Sequence, residues 1–106
     1  LITKVLFEKS TSNKKFAIVD AGFTDLIRPA LYGAYHCIEN LSSDKDLEKY
    51  DVVGPICESS DVFAKDIMLP QTHRGDFLAI RSAGAYGEVM ASTYNARPLI
   101  KGYLIE

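Results

Sequence analysis

Strong charge of either sign is missing from this sequence. Over 106 residues the formal net charge is −2, which argues against a surface built to hold nucleic acid or an anionic membrane. Long apolar runs are missing too, and none approaches the roughly 20 residues of a transmembrane helix. The residues present carry no signal-peptide pattern. Cysteine and histidine are scarce, with two of each: Cys37, Cys57, His36 and His73. Two thiols do not make a stapled secreted scaffold, and a chain of this length does not need one. A Cys37–Cys57 bridge is therefore open in principle but not expected. Neither Cys-x-x-Cys nor His-x-x-x-His spacing occurs, so no metal site is expected; His36 reads as half-buried and His73 as a loop residue. A phosphate-cradling glycine loop is also lacking, because Gly84-Ala85-Tyr86-Gly87 is a poor match to one. No internal repeat is evident.

What is there is the material of one small β-rich domain. Thr3 to Lys9 reads as a strand with Val5 and Phe7 on one face. After the turn-prone Ser10 to Lys14, Lys15 to Asp20 reads as its hairpin partner, ending where Gly22 offers a backbone angle that other residues avoid. In Phe23 to Tyr32, Thr24 or Asp25 could cap one turn of helix, and Pro29 argues against a long one. Tyr32 to Ile38 carries strand-type residues, with Tyr35 and Cys37 alternating against His36 and Ile38. Asn40 to Lys49 reads as an exposed charged loop. Tyr50 to Ile56 is a strand, Val62 to Leu69 is mixed, and Phe77 to Ile80 is an apolar strand expected to be buried on both sides. Leu99 to Ile105 would close the fold. About seven short strands separated by turn signals predict an all-β sandwich or barrel with short helical turns. Leu1 is not a methionine and already lies in strand-like sequence, so residues 1–106 are expected to be a single domain of a longer or processed chain.

Chemistry gathers at Gly54-Pro55-Ile56-Cys57-Glu58-Ser59-Ser60-Asp61. Pro55 fixes a dihedral and removes a donor, Gly54 permits a bend, and Ser59, Ser60 and Asp61 favour a turn. A strand therefore ends by presenting a thiol beside a carboxylate. From residue type alone, Cys57 reads as a small buried hydrophobe, Arg28 as an exposed cation beside a core tyrosine at Tyr32, and Tyr86 as a packing tyrosine.

Context reverses these readings. Asp20-Ala21-Gly22-Phe23-Thr24-Asp25-Leu26-Ile27-Arg28-Pro29-Ala30-Leu31-Tyr32 is followed in order by Gly54 to Asp61. Then come Ala83-Gly84-Ala85-Tyr86 and Met90-Ala91-Ser92-x-Tyr94-Asn95-x-Arg97-Pro98. Together they closely resemble the C-terminal domain of the diaminopimelate decarboxylases, fold type III pyridoxal-phosphate enzymes, over most of Asp20 to Pro98. The resemblance implies decarboxylation of meso-2,6-diaminopimelate to L-lysine and CO2 in lysine biosynthesis, in the cytoplasm. Pyridoxal 5'-phosphate would be held mainly by a (β/α)8 barrel absent from this chain. It implies a homodimer in which the Cys57-Glu58 loop reaches the partner subunit's cofactor. By the same resemblance Arg28 and Tyr32 would bind the distal carboxylate of the substrate and Glu58 its distal ammonium. Cys57 would donate a proton, and Tyr86 would contact both cofactor phosphate and substrate. Three positions depart from the family: Ser60 where glycine is usual, Phe23 where methionine is common, and Leu99 where a second arginine is common.

The residue types suit those tasks. A thiol with a pKa near 8.5 is mostly protonated at neutral pH yet gives up its proton readily, and an anionic Glu58 disfavours the thiolate. Arginine presents a planar fork to a carboxylate, and tyrosine adds one hydroxyl donor. Two alternatives remain. One is a related decarboxylase of ornithine, arginine or carboxynorspermidine, for which an acidic residue near the place of Arg28 would suit a distal amine better. The other is a non-catalytic dimerisation module, and the isolated 106 residues are expected to be inactive.

Overall fold

The computed structural model describes residues 1–56, 60–84, 90–99 and 102–103. Its strands are β1 (Ile2–Ser10), β2 (Lys15–Val19), β3 (Ile38–Asn40), β4 (Leu47–Val53), β5 (Val62–Pro70) and β6 (Phe77–Ile80), with one short helix, α1 (Arg28–Tyr32). All six strands join one sheet in the order β3-β6-β1-β2-β4-β5. The two edge strands, β3 and β5, come back into contact, so the sheet curls into a nearly closed barrel. This is the all-β, barrel-like architecture expected of the sequence.

β1 and β2 form the expected hairpin, closed by Thr11 and Lys14, whose backbone groups meet at 2.7 Å. The register slips between Val5 and Phe7. Leu6 is the extra residue of this bulge, and it turns Phe7 away from the face that Val5 occupies. Val5 is fully buried while Phe7 is half exposed, so the shared face expected from strict alternation ends at the bulge.

β2 runs parallel to β4, pairing Ala17 with Val52. The crossover between them holds the 20–27 loop, α1 and β3. The core inside the curl is built from Val5, Ala17, Val19, Leu26, Val52, Leu69, Leu78 and Ile80, none more than 1% exposed. Each large member contributes about 1.5–3 kcal/mol relative to exposure. β6 lies between β3 and β1, and its Leu78, Ala79 and Ile80 are all buried, while Phe77 alone in this strand reaches solvent.

Five elements differ from the sequence expectation. The helix begins at Arg28 rather than near Thr24, because proline is favoured in a first helical turn, where its missing N–H has no intrahelical partner. α1 ends in a left-handed cap at Gly33, with Gly33 N–H donating to Pro29 O at 3.0 Å and Ala34 N–H to Arg28 O at 3.3 Å. Residues 33–37 are then irregular, although the foreseen alternation holds: His36 and Ile38 are buried, Tyr35 and Cys37 exposed. The charged loop is confined to 41–46, because Leu47 to Lys49 pair with Pro70 to Met68. The mixed segment is a nine-residue strand, β5. Of the closing strand expected at Leu99 to Ile105, Leu99, Gly102 and Tyr103 are not in a strand, and the rest lies outside the described residues.

The β4–β5 ladder contains its own bulge, where Asp51 faces Lys65 and Asp66. The buried Asp51 carboxylate accepts from Asp66 N–H at 2.9 Å and from Lys14 Nζ at 3.0 Å. Burial acts to raise its pKa, but these two donors outweigh it and hold the carboxyl below its ordinary value. A carboxylate with a lowered folded-state pKa stabilises the fold above its unfolded pKa, and that stabilisation disappears as pH falls through the folded value. The acid limb of stability, below roughly pH 4, should therefore flatten in Asp51→Asn. Urea midpoints at pH 7 and pH 3 check it, and an unchanged difference between wild type and variant would refute it.

Candidate functional site

Described parts of the sequence motifs, the 20–27 loop, Gly54 to Ile56 with Asp61, and the segment 90–99, meet at one end of the sheet, where β2 and β4 stop side by side. The 20–27 loop leaves β2, and Leu26 plugs it into the core at 1% exposure. Asp25 stabilises the bend: its carboxylate accepts from Gly22 N–H at 2.9 Å, while its own N–H donates to Gly22 O at 2.9 Å. The segment 90–99 lies along this loop. Ser92 N–H donates to Thr24 O at 2.8 Å, and Phe23 meets Tyr94 edge-on with ring centroids 5.5 Å apart. Arg97 donates from Nη2 to Asp20 O and stands 3.6 Å from the Asp25 carboxylate.

The end of β4 is tied to the same place by Asp61. This residue is 2% exposed, and its two carboxylate oxygens accept from Phe23 N–H and Ile56 N–H, each at 2.8 Å. Its carbonyl accepts from Gly54 N–H at 2.9 Å. Burial pushes the Asp61 carboxyl up from its ordinary value. The Ile56 and Phe23 N–H groups and the Arg97 guanidinium pull it back, and Asp25 adds a small upward push. Space here is scarce. A Cβ on Gly54 would stand 2.3 Å from Asp61 Oδ2, and one on Gly22 would stand 2.5 Å from Ile56 Cδ1. Both glycines are explained by close approach, and neither has a positive φ. The backbone freedom expected at Gly22 is not what that position uses.

Of the five residues singled out in the sequence, two can be placed. Arg28 opens α1 and Tyr32 closes it. Because Pro29 starts the helix instead of breaking it, the four-residue spacing does put both side chains on one face. Tyr32 is 64% exposed, and among the described residues neither side chain makes an ion pair or side-chain hydrogen bond. The cation and the phenol are therefore uncommitted among the described residues. Cys57, Glu58 and Tyr86 lie outside the described residues; the backbone that leads to Cys57 is described as far as Ile56.

The other sequence readings resolve as follows. Cys37 is a free, exposed thiol, and Cys57 lies outside the described residues. His36 is buried rather than half-buried, with Nδ1 2.9 Å from Arg81 O and Nε2 unpartnered. His73 sits on the 71–76 loop, 3.2 Å from Glu8. Of the departures from the family, Phe23 packs on Tyr94, while Ser60 and Leu99 are exposed. Residue reasoning missed the bracing role of Asp25, Asp61 and Arg97. Asp61 was read only as a turn former, although its place four residues after Cys57 in a glycine- and proline-bounded loop was the available signal.

The described residues form no cradle for a phosphate-bearing ring. A groove of about 450 Å³ between α1 and β5 is lined by Ala30, Tyr35, His36, Phe63 and Lys65 among others, with no arginine and Lys65 its one lysine. The helix beside it has five residues and no acidic or basic side chain supporting its ends.

Comparison with known proteins decides the family. Residues 1–84 match the family of pyridoxal-dependent decarboxylases at its C-terminal sheet domain. The chain belongs to that family. It is 67% identical over 103 residues to a diaminopimelate decarboxylase of Bacteroides thetaiotaomicron, covering 97% of this chain and 27% of the relative. The chain thus spans about a quarter of the length of the curated relatives it matches. A crystal structure of diaminopimelate decarboxylase from Helicobacter pylori, complexed with L-lysine, superimposes with a TM-score of 0.86 at 54% identity. That match covers 92% of this chain and 24% of the other. A lysine/ornithine decarboxylase of Vibrio vulnificus complexed with cadaverine shares the fold alone, at 23% identity and a TM-score of 0.81, over 92% of this chain and 27% of that one. The fold is therefore common to decarboxylases of different substrates, and only sequence likeness separates them.

Proposed function

We propose that this chain is the C-terminal sheet domain of a diaminopimelate decarboxylase, contributing substrate-binding and proton-donating groups to the conversion of meso-2,6-diaminopimelate to L-lysine and CO2. The observation that carries the proposal is the 67% identity to a diaminopimelate decarboxylase over nearly the whole chain. The uncommitted Arg28–Tyr32 face supports it. A buried or paired arginine would have no capacity left for a ligand, whereas a half-exposed one on a capped helix has a full fork of donors to offer a carboxylate.

In this reading the cofactor, pyridoxal 5'-phosphate, sits mainly on a barrel domain outside this chain. When bound, it supplies the electron sink for breaking the bond between the α-carbon and its carboxylate. This chain supplies the rest of the geometry. Arg28 holds the distal carboxylate with a planar pair of donors, and Tyr32 adds one hydroxyl. Glu58 accepts from the distal ammonium. Tyr86 contacts cofactor phosphate and substrate. Cys57 delivers a proton from Sγ to the carbon that has lost CO2 and is reprotonated from solvent. The working enzyme is a cytoplasmic homodimer in which the loop after Ile56 completes the partner subunit's site.

Substrate preference tests the proposal. The full-length enzyme is expected to turn over meso-diaminopimelate with kcat/KM at least about 10³-fold above ornithine. A site that pairs a substrate's buried charge discriminates on that scale against an analogue that leaves the charge unmatched. Initial rates of CO2 release from the two substrates measure it. Equal rates, or preference for ornithine, would transfer the chain to the decarboxylases of diamino monocarboxylates. Residues 1–106 alone are expected to release no CO2 in the same assay, and activity there would make the barrel unnecessary.

A further inference from the structure

The geometry points to Arg97 as a positioning residue that sets where α1 presents Arg28 and Tyr32. This rests on the function proposed above, in which those two side chains hold the distal carboxylate, and it assigns Arg97 no contact with substrate. The helix cannot place itself. It has five residues, far short of the roughly 12–15 at which an isolated helix becomes even marginal. None of its residues is buried, Ile27 gives it no side-chain cap, and its meeting with β5 is interrupted by the groove that Pro29 and Ala30 help to line. Arg28 adds nothing to it, because a cation in the first turn faces the positive end of the peptide dipoles. The direction of α1 is therefore inherited from the 20–27 loop. Leu26 pins that loop at one point in the core, and one point leaves rotation free.

Arg97 supplies a second point. Its guanidinium spans the mouth of the loop, donating to Asp20 O just after β2 and pairing at 3.6 Å with the Asp25 carboxylate, three residues before Arg28. Asp20 is fixed to the sheet. Its carboxylate accepts from Thr3 Oγ1 at 2.5 Å and from Lys4 N–H at 3.0 Å, and the next residue, Ala21, donates its N–H to Thr3 Oγ1 at 3.0 Å. Asp25 belongs to the bend that leads into the helix, where its carboxylate accepts from Gly22 N–H at 2.9 Å. The Asp25 side chain is 3% exposed, and among the described residues Arg97 is the one cation paired with it. A buried carboxylate that lost its cation would be driven toward water, and residue 25 would move with it. The segment 90–99 holds Arg97 in turn: Ser92 N–H donates to Thr24 O, the Tyr94 ring meets Phe23, and Arg97 N–H donates to Tyr94 O at 3.4 Å. One guanidinium thus sets the gap between a fixed strand end and the entry to the helix.

Arg97→Gln tests the assignment in the full-length holoenzyme. Glutamine keeps an amide donor but loses the charge and the reach to both acceptors. Displacing a binding group by about 1 Å costs on the order of 100-fold, and the long Arg28 side chain recovers part of this, so kcat/KM on meso-diaminopimelate is expected to fall roughly 10-fold. The loss should appear as raised KM, since the distal carboxylate is the same in ground and transition states. The rate on ornithine, which has no distal carboxylate, should not fall, so the preference for meso-diaminopimelate narrows. A residue that only stabilised the fold would lower both rates together and leave their ratio alone. In an Arg28→Ala background, where only the Tyr32 hydroxyl remains to be placed, Arg97→Gln is expected to change kcat/KM by less than about threefold. Arg97→Lys keeps the charge but reaches one acceptor at a time, and should recover part of the loss. It carries the same cycle if Arg97→Gln does not accumulate as folded enzyme. An unchanged substrate ratio, or an equal fractional loss with and without Arg28, would overturn the assignment and leave the proposed function standing. Full activity in Arg28→Ala itself would overturn the role of Arg28 and this assignment with it.

Discussion

Full-length enzyme carrying Cys57→Ala should lose about 10²- to 10⁴-fold in kcat on meso-diaminopimelate, the range attributed to a positioned general acid. The loss belongs in kcat because the thiol acts only after substrate is bound; KM should move by no more than a few-fold. Cys57→Ser retains a hydroxyl of similar size and separates the two reasons a thiol might be there. A hydroxyl is a far weaker acid, so serine should restore little if proton donation is the task. It should restore most of the rate if the residue only fills space. Single-turnover CO2 release and lysine formation measure both steps. Near-normal lysine formation in Cys57→Ala would remove the thiol from the mechanism.

The second large effect is expected at Arg28. In the proposed site, replacement by alanine deletes two charge-assisted hydrogen bonds to the distal carboxylate, each worth about 1.5–3 kcal/mol. Some of this is recovered when water solvates the abandoned carboxylate, because α1 is at the surface and Tyr32 beside it is exposed. A net loss of about 3–4 kcal/mol corresponds to roughly 10²- to 10³-fold in kcat/KM. Most of it should appear as raised KM, since the distal carboxylate is unchanged between ground and transition states. Arg28→Lys keeps the charge but not the planar fork and should recover only part. Arg28→Ala should also narrow the preference for diaminopimelate over ornithine. An unchanged ratio of the two kcat/KM values would show that Arg28 does not read the distal carboxylate.

Different parts of the molecule were legible to different degrees. The β1–β2 hairpin and β6 could be read from local pattern, because alternation and continuous apolar runs report burial directly. The bulge at Leu6 could not, since it depends on how β1 must bend between β2 and β6, and nothing in residues 2–10 encodes those partners. Pro29 shows a similar limit. Its chemistry permits it to end one helix or to begin another, and what decides is whether Leu26 is already anchored in the core, handing the chain on at Ile27. The site followed the same division. Arg28 and Tyr32 were singled out from the sequence, yet their common face became apparent only once the helix was placed. Asp61 and Arg97 went unnoticed as braces because each acts on a backbone group distant in sequence, 38 residues away for Asp61 and Phe23 and 77 for Arg97 and Asp20, whereas Asp25 acts on Gly22 three residues back and was read only as a possible cap.

By itself, then, the order of residues determined the all-β class and the family, and it nominated the groups proposed to meet a substrate. These follow from side-chain chemistry and short-range pattern, which survive without knowledge of the fold. The tertiary structure alone decided that the ends of β2 and β4 stop together, through a parallel pairing across a crossover that contains α1 and β3. It also decided that one buried carboxylate joins the loops that leave them. Such a link is a property of three-dimensional proximity: the two N–H groups it satisfies belong to every amino-acid chain, and only folding selects which of them share an acceptor.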